Sequence, residues 1–73
     1  MSKINNRLKE YANIIIGSAI NSPSETKHNV PTIFDGSIEL YINWLKYLRR
    51  LADEHCIELI ISLNGTIKAK RNF

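Results

Sequence analysis

The apolar residues change their spacing at His55, and that change dictates both an α-helix and a β-hairpin in the second half of the chain. Upstream of it, Ile38, Leu40, Tyr41, Trp44, Leu45, Tyr47, Leu48, Leu51 and Ala52 recur at three- and four-residue steps. At 100° per residue they fill an arc of roughly 180°, with Glu39, Asn43, Lys46, Arg50, Asp53 and Glu54 opposite. A helix is expected over about 38–55, opened by Ser37 with Glu39 nearby and preceded by the turn Asp35-Gly36. Downstream, Ile57-Glu58-Leu59-Ile60-Ile61-Ser62-Leu63 and Thr66-Ile67-Lys68-Ala69-Lys70-Arg71 flank Asn64-Gly65, the pattern of strand, tight turn and strand.

Two hairpin registers compete. A two-residue Asn64-Gly65 loop sets Leu63 opposite Thr66 and Ile61 opposite Lys68, which mixes apolar and charged side chains on one face. A three-residue loop, Leu63-Asn64-Gly65, with Gly65 in the left-handed position pairs Ile61 with Ile67, Leu59 with Ala69 and Glu58 with Lys70. The second is preferred, because Ile57, Leu59, Ile61, Ile67 and Ala69 then form one apolar face for the helices to cover.

The first half is less regular. Ile4, Leu8, Tyr11, Ile15 and Ala19 predict an amphipathic helix over 3–20 with Ser2 as its N-cap. The β-branched run Ile14 to Ile16 supports a rival in which the helix stops near Ala12 and a strand follows. Asn21-Ser22-Pro23-Ser24 ends the element. Residues 21–36 read as a loop, with residues 30–34 a third, short strand at a sheet edge, where Pro31 removes no ladder hydrogen bond. The expected fold is therefore α+β: two amphipathic helices packed on a C-terminal β-hairpin, in the order helix, loop, helix, strand, strand, as a single small domain over 1–73.

A chain of 73 residues buries little more than half of its unfolded surface. A large catalytic cleft would remove burial it can hardly lose, so no enzyme is expected. No cofactor and no metal are expected either: His28, His55 and Cys56 show no ligand spacing, and Gly17, Gly36 and Gly65 form no phosphate loop. Adjacent His55 and Cys56 at a helix end read as a terminal histidine and a small buried cysteine rather than a nucleophile and its base. His28 reads as a solvated loop residue. Asp53, Glu54 and Glu58 read as surface charges. No apolar run exceeds the three residues of Ile14-Ile15-Ile16, far below a membrane span, and a lone cysteine suits a mature, cytoplasmic protein.

The excess of ten Lys and Arg over seven Asp and Glu, net +3, favours an anionic partner without naming one. The second helix carries more apolar and aromatic surface than one packing seam uses. One stripe, Ile38-Tyr41-Leu45-Leu48-Ala52, suits the first helix or a second copy of the chain, so a homodimer is expected there. The other, Leu40-Trp44-Tyr47-Leu51, suits the sheet or a partner. The expected protein contacts are Tyr41, Trp44, Tyr47 and Arg50 on the helix and Ile33 and Phe34 in the preceding loop. The alternative partner is nucleic acid, with Lys46, Arg49 and Arg50 of the helix and Lys68, Lys70 and Arg71 of the hairpin contacting phosphates. Ile, Lys and Asn supply 26 of 73 residues, all from A/T-rich codons. A short, motif-free chain of this kind fits a phage or mobile-element protein that inhibits or redirects a host protein such as a defence nuclease.

Overall fold

The computed structural model describes residues 4–31, 34 and 36–71. They form α1 (Asn6–Asn21), β1 (Thr26–Asn29), α2 (Ile38–Glu54), β2 (Ile57–Ile61) and β3 (Thr66–Arg71). The strands make one antiparallel sheet in the order β1-β3-β2, with both helices packed on one face of it. The α+β architecture of two helices on a C-terminal hairpin is the one the sequence predicts.

The hairpin takes the three-residue loop. Ile61 pairs with Ile67, Leu59 with Ala69 and Glu58 with Lys70. Gly65 makes this turn at φ 89°, a left-handed conformation that costs a side-chain-bearing residue about 1–2 kcal/mol. The chosen register buries Ile57, Ile67 and Ala69 under the helices and half-buries Leu59 and Ile61, while Glu58, Ile60 and Lys70 face outward.

Helix α2 begins where expected, with the Ser37 hydroxyl accepting the Leu40 N–H at 3.2 Å. Helix α1 starts later than expected. Asn5 is its N-cap, its Oδ1 accepting the Leu8 N–H at 2.9 Å, and Ser2 lies outside the described residues. The helix runs unbroken through Ile14-Ile15-Ile16, because the core gained by burying Ile15 and Ile16 outweighs the small helix penalty of β-branching.

The third strand lies at Thr26–Asn29 rather than at 30–34. Thr26 pairs with Ala69 and Asn29 with Thr66; the Val30 N–H then reaches the Gly65 carbonyl at 2.8 Å, and Pro31, without an N–H, ends the ladder. Val30 is half-buried against the core and Phe34 is buried in a turn, whereas Thr32 and Ile33 lie outside the described residues. His28 is therefore not a solvated loop residue: it faces the helices from β1, half-buried beside Ile67.

Two expected contact residues belong to the core. Trp44 is 0% exposed, and its indole N–H donates to the Leu8 carbonyl across the helix pair at 2.8 Å. Its ring lies 6.0 Å from that of Tyr11 and 5.7 Å from that of Phe34, which is buried too and packs edge-on against Tyr41 at 5.3 Å. Leu48 and Ala52 are likewise buried, Tyr41 and Leu45 are half-buried and Ile38 is 73% exposed, so the chain itself fills only the C-terminal part of the seam expected along Ile38 to Ala52.

Candidate binding surfaces

With Trp44, Leu48 and Ala52 turned inward, helical geometry fixes what else α2 presents. Lys46 and Arg50 lie on the side away from the core, and Tyr47 flanks them, packed in part against it, the three spanning roughly 100° of helix rotation. Lys46 and Arg50 are exposed and Tyr47 is half-buried. A second flank carries Ile38, Ile42, Arg49 and Asp53, at positions i, i+4, i+11 and i+15, which fall within about 60° of one another. Ile38 is 73% and Ile42 45% exposed. Arg49 and Asp53 of this flank, together with Ala52, meet Ile57, Glu58 and Leu59 of β2 around a shallow open cleft of about 450 Å³. That flank thus lies over the outer edge of β2, while the Trp44 side turns toward α1.

The six basic residues expected to contact phosphates are not brought to one face. Lys68 and Lys70 alternate outward on β3, on the sheet face the helices leave open. Lys68 stands directly opposite Lys27 of β1, and Lys70 opposite Glu58. Lys46, Arg49 and Arg50 belong to the helical layer on the other side of the sheet, and Arg71, paired with Ile57, sits on the inward register. Two cations side by side at Lys27 and Lys68 repel across the ladder, a local cost that an anion bound on this face would relieve.

His55 and Cys56 close α2. The His55 backbone N–H reaches back to the Leu51 and Ala52 carbonyls, and Cys56 turns the chain at φ 56° into β2. Cys56 is exposed rather than buried, because the turn points its side chain outward. The His28 ring lies 3.1 Å from the Thr26 hydroxyl, which in turn donates to the Ala69 carbonyl at 3.2 Å; desolvation holds this imidazole below its ordinary pKa of 6.5. Among the described residues, no three His, Cys, Asp or Glu side chains converge as metal ligands, and no helix is long and apolar enough to cross a membrane.

Of the residues singled out from the sequence, Tyr41, Tyr47, Arg50, Lys46, Arg49, Lys68 and Lys70 keep solvent access, Trp44 and Phe34 do not, and Ile33 lies outside the described residues. Ile42 and the outward Ile60 are not among them, and Asp53 is read from the sequence only as a surface charge. The signal for Ile60 was present, since it is the apolar residue that breaks the polar alternation of β2. Comparison with protein-family models, with curated proteins and with solved structures finds no match to this chain.

Proposed function

We propose that this chain is a small non-catalytic binding protein that regulates another protein by docking on an acidic surface of it through the solvent side of α2. The observation that carries this reading is the grouping of Lys46, Tyr47 and Arg50 on one side of the helix, with access to solvent after the core has been filled. Tyrosine and arginine are enriched where interfaces hold most of their energy, and two cations beside the ring select an acidic partner. The short, motif-free, Ile-, Lys- and Asn-rich sequence supports a host factor as that partner, such as a defence nuclease, met in the cytoplasm by a phage or mobile-element protein. Its lone thiol suits a reducing compartment.

Nucleic acid ranks second. Lys27, Lys68 and Lys70 on the open sheet face favour it, and their separation from Lys46, Arg49 and Arg50 weakens it. The test is capture of partners from the native host by the tagged chain, with and without nuclease, beside Tyr47→Ala and Arg50→Glu variants checked for folding by circular dichroism. A protein retained after nuclease and lost with both variants is expected. Capture that vanishes on nuclease treatment transfers the function to nucleic acid, and capture unaffected by either substitution removes this side of α2 from it.

A further inference from the structure

The two edges of the sheet are built differently. Strand β1 has four residues, carries Lys27, lies between Pro23 and Pro31, and gives its Asn29 carbonyl to the Tyr11 hydroxyl at 2.6 Å. Short length, lysine, flanking proline and a capped backbone group are the means by which edge strands avoid pairing with other chains. Strand β2 has none of these. Its five residues, Ile57-Glu58-Leu59-Ile60-Ile61, contain no lysine or proline, and its register with β3 runs from Ile57 to Ile61 without a bulge. Its outward Ile60 is 49% exposed.

We propose that a second copy of this chain occupies that edge, the two β2 strands running antiparallel about a two-fold axis at Leu59 and joining both sheets into one of six strands. The strand is self-complementary about that point. The axis sets Ile57 opposite Ile61 of the mate and Leu59 opposite its own copy, all on the side that faces the helices, so the inner apolar layer continues across the junction. Shifting the register by one residue opposes Leu59 to Ile60 and throws the second helical layer to the other side of the sheet. In the register centred on Leu59 both α2 helices lie on the same side, antiparallel, with their Ile42-Arg49-Asp53 flanks facing. Antiparallel packing turns Arg49 of one copy toward Asp53 of the other, and by symmetry the reverse. The charge pattern around the β2 cleft therefore matches itself, and this is the reason to assign the edge to a second copy rather than to an unrelated extended segment.

The test is the mass of the full-length protein by sedimentation equilibrium across a wide range of concentration. A reversible dimer is expected. Ile60→Glu, at an exposed position opposite Lys68 of the same sheet, sets a carboxylate against Glu58 of the mate on both sides of the axis and should leave a folded monomer. Arg49→Asp or Asp53→Arg alone should weaken the dimer about tenfold or more, and the two together should restore it, since the exchanged charges again complement each other. Tyr47→Ala should dimerise like the wild type, which separates this interface from the partner-binding side of α2. A monomer at every concentration overturns the proposal, as does a dimer indifferent to Ile60→Glu. A wild-type monomer whose capture of another protein is abolished by Ile60→Glu assigns the edge to that protein and equally overturns it.

Discussion

The indole nitrogen of Trp44 is a buried donor with one partner, the Leu8 carbonyl, and three aromatic rings gather around the core at this point. Truncating a buried tryptophan costs about 3–5 kcal/mol, and small domains hold roughly 0.05–0.15 kcal/mol per residue in reserve. Trp44→Ala is therefore expected to unfold most of the protein at moderate temperature, whereas Trp44→Phe loses about 1–2 kcal/mol, the hydrogen bond and part of the volume. Urea unfolding curves of the two variants check this; a Trp44→Ala protein as stable as the wild type would place the ring outside the core. The sequence placed Trp44 on the apolar arc of α2 but not on one side of it. That arc spans roughly 180°, more than one neighbour covers, and only the position of α1 decides which residues it takes. Phe34 was ambiguous for a related reason, because no periodicity in 30–36 shows whether the loop folds back over α2.

At the scale of elements, the hairpin was legible because strand parity leaves little freedom: a one-residue change of register exchanges every inward and outward side chain, and only one register kept the lysines out of the core. Strand β1 was not legible. Thr26-Lys27-His28-Asn29 carries no strong β-former other than threonine, and it is held by its partner: Thr26 Oγ1 donates to Ala69, and β3 supplies the ladder. That placement gives His28 a consequence that a loop histidine lacks. Its pKa is lowered in the folded state by desolvation, so the unfolded chain binds the proton more readily. The contribution of neutral His28 is fully present above its ordinary value of 6.5 and is lost as pH falls through that value toward the lower folded one. Melting temperatures measured from pH 7.5 down to pH 5 should fall more steeply for the wild type than for His28→Gln, with exposed His55 common to both. Parallel curves would show that β1 does not desolvate this ring.

For the molecule as a whole, 73 residues supply a core built on Leu8, Ile15, Trp44, Leu48 and Ile67 and still leave Ile38, Ile42 and Ile60 in solvent. A larger domain would bury that surplus under another element; in so short a chain it is surface for the proposed second copy to cover. The size and charge of the chain point to association in the sequence alone, but the proposed surface is not legible there, because strand order decides which strand is an edge and the order β1-β3-β2 places the hairpin's first strand outside. Association has a thermodynamic signature apart from mass. If only the folded chain dimerises, each increase in concentration above the dimer dissociation constant adds stability by mass action, so the melting temperature rises with concentration. The wild type should show that rise, and Ile60→Glu should show a flat response. At concentrations too low for pairing the two proteins should melt alike, because Ile60 contributes little to the monomer from its outward position. A melting temperature independent of concentration in the wild type would mean that the exposed isoleucines are not covered by a second copy of the fold.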